Sequence, residues 1–353
     1  MPNPDISTIT TEDFLARRWK RFALVLGLFA VGVCIFLLLN IVLGSVTIPL
    51  GDTIKVIFGG AGSDEAYSTI IRNIRLPRAL GAVLGGAALA VSGLLLQVFF
   101  RNPIVGPFVL GISSGASFTV ALALLGSYLL GVTVVSSMTL SLAAFIGALL
   151  VMGVVLMVAS KVRDIITLLV IGLMTGYVAS ALSSFLVAFA QAENVHRFVI
   201  WTMGSFSGFR WEEVRLLAIV GLVLMVASYL LAKPLNAFLL GEDYARSMGV
   251  NVKRFRYTVV FLACALAAIV TAFAGPVAFI GLAVPHLARL SLGTSDNRIL
   301  IPASVLAGAM VTSLCDLLAR MLFAPVELPV SATTAIFGAP MVVFFLIKGK
   351  TTI

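Results

Sequence analysis

Few side chains of this chain could do chemistry, and those few do not gather into a catalytic group. Its two histidines, His196 and His286, lie in different regions and lack the spacing of metal ligands. His286 follows Pro285 where a helix is expected to begin, and we interpret it as a packing residue. The sequence therefore offers no set of side chains suited to an enzyme.

Two further groups suggest chemistry but have the wrong spacing for it. Cys34, Cys264 and Cys315 are scattered through long apolar runs, which favours packing over a metal site or a disulfide. Gly349–Lys350–Thr351 resembles the end of a phosphate-binding loop, but the glycine required at position 344 is replaced by Phe344. We therefore predict that the chain binds no nucleotide and no cofactor itself.

Charges within the apolar runs are also few. Asp316 and Arg320 lie four residues apart, so they share a helical face and can pair. Arg289 is expected to extend toward the nearer membrane surface. No series of carboxylates follows the apolar runs, which disfavours a carrier coupled to protons or sodium, although backbone carbonyls could bind sodium.

The elements that carry these residues are apolar runs of membrane-spanning length. The chain is 60% hydrophobic and 11% charged, with a mean hydropathy of +1.13, whereas a soluble domain has about 25% charged residues. Because backbone groups in lipid must be satisfied internally, each run is expected to be a helix. We predict an all-α polytopic membrane protein with about ten transmembrane helices, near 22–43, 79–100, 108–130, 136–160, 165–190, 214–232, 257–274, 277–292, 301–320 and 329–347. Gly281 and Pro285 should break or tilt the eighth helix inside the bundle.

The net charge of +9 follows from this topology. With a cytoplasmic N-terminus, 16 of the 24 Lys and Arg residues fall on the inside and 8 on the outside, as the positive-inside rule requires. We expect a cytoplasmic tail over 1–21, a ten-helix domain over 22–348 and a cytoplasmic tail over 349–353. Nucleic-acid binding is not needed to explain the charge.

Local patterns add two predictions. Glycines four residues apart should mark close helix contacts, as at Gly81 and Gly85, Gly111 and Gly115, and Gly172 and Gly176. The cytoplasmic connection 233–256 should contain a short helix over Gly241–Met248, with acidic residues in its first turn and a basic residue in its last. That helix either rests on its own bundle or contacts a cytoplasmic partner.

Six sequence blocks, in order and at matching spacing, make the chain similar to a known family. They are IRLPRAL (Ile74–Leu80), GGAALAVSGLLLQ (Gly85–Gln97), RNPIVGPFVLGISSGA (Arg101–Ala116), LNAFLLGEDYARSMGV (Leu235–Val250), GPVAFIGLAVPHLARL (Gly275–Leu290) and ELPVSATTAIFGAP (Glu327–Pro340). The chain resembles the permease subunit of type II ABC importers for ferric siderophores, haem or cobalamin, a FecCD/BtuC-like family. The similarity covers about Ile41 to Lys348.

The resemblance implies a complex in the bacterial cytoplasmic membrane. Its partners would be a second permease subunit, first expected to be an identical copy, two cytoplasmic ATPase subunits that bind ATP and Mg²⁺, and an external binding protein. The chain would form the pathway for a metal chelate, with a ferric siderophore as the first choice and haem or cobalamin as alternatives. An ion-coupled secondary transporter is the alternative from another class.

The resemblance also assigns three groups of residues. ATPase coupling is expected at Leu240, Gly241, Glu242, Asp243, Ala245, Arg246 and Gly249. Docking of the binding protein is expected at the outward-facing cations Arg75, Arg78 and Arg320. An inner gate is expected at Asp164, Ile165, Ile166 and Thr167, where the two isoleucines could close the passage by excluding water.

Overall fold

The computed structural model describes residues 11–44, 46–57, 59–60, 64–129, 136–162 and 164–347, and within these ranges the chain is helical without strands. The ten long helices that we label α1 to α10 match the ten predicted runs. In chain order they are Thr11–Val42, Leu76–Phe99, Ile112–Leu129, Ser137–Lys161, Ile165–Ala188, Trp211–Leu230, Val252–Ala274, Ile280–Leu292, Asn297–Met321 and Val330–Ile347.

Seven helices in the described part of the chain are long and apolar enough to cross a membrane. Of the remaining long helices, α3 and α8 are shorter apolar helices and α10 has 18 residues. The predicted architecture of about ten helices is therefore confirmed. The connections contain short helices, at Leu50–Ile57, Glu65–Ile70, Ile71–Arg75, Pro107–Leu110, Ala192–Thr202, Ala232–Leu239 and Glu242–Ser247.

Helix α2 occupies the centre of the bundle. The most apolar stretch of its span is 83% buried, against 28% for the corresponding stretches of α5 and α6. Its glycines allow this central position: a Cβ atom at Gly93 would lie 1.6 Å from the carbonyl oxygen of Gly281 in α8. The predicted glycine contacts are confirmed as well, since a Cβ at Gly115 would lie 2.6 Å from the carbonyl oxygen of Gly147.

The first helix differs from the prediction at its N-terminal end. It begins at Thr11, so part of the expected tail 1–21 is helical. Arg21 Nε donates to the carbonyl oxygen of Ser291 at 3.0 Å, and Arg18 Nη2 donates to Thr294 Oγ1 at 3.2 Å. These bonds to the end of α8 hold the polar extension of α1 against the bundle.

The eighth helix is interrupted, but not at the proline. The segment from Gly275 to Phe279 is non-helical, and both residues have positive φ angles, 69° and 65°. Helix α8 then starts at Ile280 and includes Pro285. Val277 in the non-helical segment is buried, as expected for irregular backbone placed inside the protein at membrane depth.

Candidate functional site

An arginine cluster, which we define as Arg75, Arg78, Asp316, Arg320 and Glu327, lies at one end of the bundle. At the start of α2, Arg78 Nη2 donates to Asp316 Oδ1 at 3.0 Å, and Arg78 Nη1 donates to Glu327 Oε1 at 2.8 Å. Asp316 belongs to α9 and Glu327 to the connection before α10. One guanidinium therefore ties three segments together.

The other two arginines bind the end of α1. Arg75 Nη1 donates to the carbonyl oxygens of Ile41 and Val42 at 2.9 and 2.7 Å, and its Nη2 donates to the carbonyl oxygen of Val46. Arg320 Nη2 donates to the carbonyl oxygen of Asn40 at 2.8 Å. Carbonyl groups at a helix C-terminus have no partner within the helix, so cations are well placed there.

The three arginines predicted to dock the binding protein are buried within the chain. Arg75, Arg78 and Arg320 are only 4%, 5% and 8% exposed, because carbonyl and carboxylate oxygens of the same chain surround them. Their role in docking stays a prediction. The accessible member of the cluster is Glu327, whose side chain is 43% exposed.

Two other expected arrangements differ in the structure. Asp316 forms its ion pair with Arg78, while Arg320, four residues along the same helix, turns to Asn40. Arg289 is buried and donates to Gln97 Oε1 at 3.4 Å instead of extending to the surface. In both cases the partner, Arg78 or Gln97, belongs to α2, a distant part of the sequence.

The predicted short helix is present at the opposite end of the bundle. It spans Glu242–Ser247, and we call it the loop helix. Gly241 before it and Gly249 after it have φ angles of +123° and +82°, which favour glycine. Phe238, in the short helix Ala232–Leu239 just before it, stacks on Phe99, the last residue of α2, which places the loop helix away from the arginine cluster at the start of α2.

The loop helix has one face held by the bundle and one face left open. Ala245 is fully buried, whereas Tyr244 of the loop helix is 46% exposed, and Leu240 and Met248, which flank the helix, are 68% and 63% exposed. Arg246 Nη2 pairs with Glu242 Oε1 at 3.2 Å, and Arg246 Nη1 lies 3.6 Å from Asp243 Oδ1. The result is an exposed apolar row beside charged side chains.

Arg256, which the sequence did not single out, connects the loop helix to the end of α4. Its Nη2 donates to Glu242 Oε2 at 3.2 Å and its Nη1 donates to the carbonyl oxygen of Val162 at 2.8 Å. Arg256 is buried. Nothing in its local sequence marks it among the neighbouring basic residues, because both of its partners are contributed by other segments.

The predicted gate begins two residues after Val162, at the start of α5. Asp164 caps α5, since its Oδ2 accepts from the backbone nitrogen and the hydroxyl of Thr167 at 2.8 and 2.7 Å. Ile166 is 69% exposed, so it is not part of the packing of this chain. Ile165 is the first residue of the helix, and its side chain lies outside the described residues. The gate itself stays a prediction.

Within the described ranges, no group of three His, Cys, Asp or Glu residues could hold a metal ion. Cys264 and Cys315 are free and buried, and Cys34 is free but exposed. The segment Gly349–Lys350–Thr351 lies outside the described residues.

Comparisons with known proteins identify the family. The model of the FecCD transport family matches residues 28–348. This chain belongs to the FecCD transport family. The resemblance drawn from the six sequence blocks is thereby confirmed, and the chain is the membrane-spanning permease subunit of an ABC importer.

Individual relatives match along nearly their full length. The "Probable siderophore transport system permease protein YfhA" of Bacillus subtilis is 34% identical over 95% of this chain and 96% of its own length. The "Vitamin B12 import system permease protein BtuC" of Klebsiella pneumoniae is 34% identical over 98% of both chains.

A solved structure agrees with the fold. A metal-chelate type ABC transporter in an inward-facing conformation superposes with a TM-score of 0.81 and 29% identity, over 92% of this chain and 99% of that chain. The helix arrangement described above is therefore that of an ABC importer permease.

Proposed function

We propose that this permease forms the translocation pathway for a metal chelate and that separate cytoplasmic ATPase subunits, which bind ATP and Mg²⁺, drive it. The loop helix carries this proposal. Its exposed row of Leu240, Tyr244 and Met248 is apolar and is flanked by ion pairs, which is typical of a protein contact surface. Membrane helices have lipid to cover their apolar faces, but a six-residue helix in a polar connection needs a protein partner.

The bridge through Arg256 suggests how motion of such a partner would reach the pathway. A displacement of Glu242 would pull on Arg256 and, through it, on the carbonyl of Val162, two residues before the gate residue Asp164. Rigid-body rocking of helices is a common way to switch between outward- and inward-facing states. Arg256 would therefore link the ATPase contact to the inner gate at Asp164, Ile165, Ile166 and Thr167.

The cargo that we propose is a ferric siderophore. Relatives named for siderophore and for vitamin B12 transport, and a structure described as metal-chelate type, all match this chain. Haem and cobalamin are the alternatives within the family. Absorption spectra of the external binding protein, isolated with its cargo, would separate a ferric hydroxamate or catecholate from haem and from a corrinoid.

We further propose an external binding protein and a second, identical permease copy as partners. A carboxylate of the binding protein could replace Glu327 on Arg78, because Glu327 is the exposed member of the arginine cluster. Glu327→Gln should then tighten docking severalfold at low salt, since it removes the competing carboxylate. Unchanged affinity at low salt would count against docking at Arg78.

The membrane and orientation that we propose are the bacterial cytoplasmic membrane with both termini inside. The support is the 16 to 8 division of Lys and Arg between the two sides. In this orientation the loop helix faces the cytoplasm, where ATP is available, and the arginine cluster faces outward.

Reconstitution into proteoliposomes tests the function. Uptake against a gradient should require the permease, the ATPase subunits, ATP and the binding protein together, and the permease alone should accumulate nothing. Accumulation by the isolated permease that follows a sodium or proton gradient would contradict the proposal. It would favour the ion-coupled carrier, which is disfavoured here because Asp316, the carboxylate inside α9, is already paired with Arg78.

A further inference from the structure

A cavity of about 480 Å³ lies between the first two turns of α3, the second half of α5 and the helix Ala192–Thr202. Its lining is rich in hydroxyl groups, contributed by Ser113, Ser114, Ser117, Ser180, Ser183, Ser184 and Thr202. The described lining contains no Asp, Glu, Lys or Arg. Most binding pockets of this size are largely apolar with a few polar groups, so this lining is unusual.

The hydroxyls differ in their availability. Ser183 Oγ donates to the carbonyl oxygen of Ala179, four residues earlier in the same helix, at 2.8 Å. Serine hydroxyls in membrane helices commonly form this bond. In the described structure, the side chains of Ser113, Ser114, Ser117, Ser180 and Ser184 form no such bond within the protein. These five hydroxyls on two facing helices can therefore bind a ligand or water in the cavity.

The walls of the cavity are fixed by a close helix contact beside it. A Cβ atom at Gly111 would lie 2.8 Å from the Cα of Gly176, so α5 and the start of α3 approach backbone to backbone. One turn further along each helix, Ser114 and Ser180 line the cavity. The distance between the two rows of hydroxyls is thus set by this glycine contact, and a larger residue at Gly111 or Gly176 would push the helices apart.

We propose that this cavity is a binding site for an uncharged, oxygen-rich metal chelate, specifically a ferric tris-hydroxamate, during its passage through the permease. This inference rests on the proposed function and assigns the cargo class. Three hydroxamates neutralise Fe³⁺, and their oxygen atoms accept hydrogen bonds from serine hydroxyls.

The lining disfavours the other cargoes. A ferric tris-catecholate carries a net negative charge, and the cavity offers no cation to pair with it. The apolar face of haem would leave the hydroxyls without partners. Neutral hydrogen bonds are also individually weak, which lets a transported molecule leave the site again.

Equilibrium dialysis tests the site with the full-length permease in lipid nanodiscs and a ⁵⁵Fe-labelled neutral ferric tris-hydroxamate as the probe. The double variant Ser114→Ala/Ser180→Ala should weaken binding about tenfold, because two hydrogen bonds are lost. Ser180→Leu/Ser184→Leu should abolish saturable binding by filling the cavity. Ser228→Ala is the matched control, since Ser228 lies in α6 outside the cavity lining and donates to the carbonyl oxygen of Leu224 at 2.7 Å, and it should bind as the wild type does.

Several results would overturn the assignment. Binding that survives the Leu variants, or falls equally in Ser228→Ala, would show that the probe lies elsewhere or that the effect is general. Serine-dependent binding of ferric tris-catecholate, haem or cyanocobalamin with equal or higher affinity would replace the hydroxamate class. Each outcome is separate from the reconstitution test, because ATP-dependent uptake can hold while this cavity fails to bind the hydroxamate.

Discussion

The two ends of this permease use the same kind of ion pair in opposite surroundings. In the arginine cluster, the Arg78 side chain is 6% exposed and its partner Asp316 is fully buried. In the loop helix, the Arg246 side chain is 64% exposed and pairs with Glu242, one helical turn earlier. The first pair joins segments that are distant in sequence, and the second only supports a short helix.

The difference indicates what each end does. In the arginine cluster, where all the charged side chains except Glu327 are buried, three arginines and two carboxylates fix the relative positions of α1, α2, α9 and the connection to α10. In the loop helix, the charges are exposed and lie beside an exposed apolar row that a partner can cover. We infer that the arginine cluster is a rigid end and the loop helix a responsive one.

The largest effect, a loss of folding stability, is expected from removing Arg78 in the arginine cluster. Arg78→Ala leaves Asp316 buried without its cation, and the free energy of unfolding should fall by about 3–5 kcal/mol. Thermal unfolding in detergent measures this. Arg72→Ala is the control, because Arg72 is exposed and, among the described residues, its side chain donates to the carbonyl oxygen of Gly60 alone; equal destabilisation by both variants would contradict the comparison.

A smaller effect, on assembly instead of folding, is expected at the responsive end. Tyr244→Ala removes an aromatic side chain from the centre of the exposed apolar row, and the affinity for the ATPase subunit should fall by about 2 kcal/mol. The unfolding free energy should change by no more than about 0.5 kcal/mol. Binding to the immobilised permease measures the first quantity, and undiminished affinity would mean that the ATPase contacts another surface.

The next effect separates coupling from assembly. Arg256→Gln loses the charged hydrogen bond to Glu242, worth about 1.5 kcal/mol, so substrate transported per ATP hydrolysed should fall about tenfold. Arg254→Gln, at an exposed position on the same helix, is the control. If both variants keep the wild-type ratio of uptake to ATP hydrolysis, the Arg256 bridge does not transmit motion.

The smallest effect is expected from the exposed ion pair. Arg246→Ala should lower the unfolding free energy by only about 0.3–0.5 kcal/mol, because an exposed pair four residues apart in a helix contributes little. High salt should remove most of this difference. A loss as large as that of Arg78→Ala would show that the two ends do not differ as described.

Local sequence was sufficient for the features that depend on neighbouring residues. The apolar runs predicted the ten long helices, and the glycines and charges around Glu242 predicted the loop helix. The break in the eighth helix was expected from Gly281 and Pro285, but it lies before Ile280. There the protein supplies partners for the non-helical backbone, since Ser331 Oγ donates to the carbonyl oxygen of Pro276 at 2.5 Å.

The arginines show where local reasoning was insufficient. Helical spacing favoured a pair between Asp316 and Arg320, four residues apart, yet Asp316 binds Arg78, which is 238 residues away in the sequence. Arg256 was overlooked for the same reason, since its partner Val162 is 94 residues away.

The sequence by itself determined that this chain crosses a membrane many times and belongs to the importer permeases, because hydropathy and short motifs are properties of contiguous residues. Only the tertiary structure decided that Arg75, Arg78 and Arg320 bind oxygen atoms of their own chain, that Arg256 joins the loop helix to α4, and that serines of α3 and α5 share one cavity. Hydrogen-bond partners are chosen by distance in space, and helix packing sets that distance.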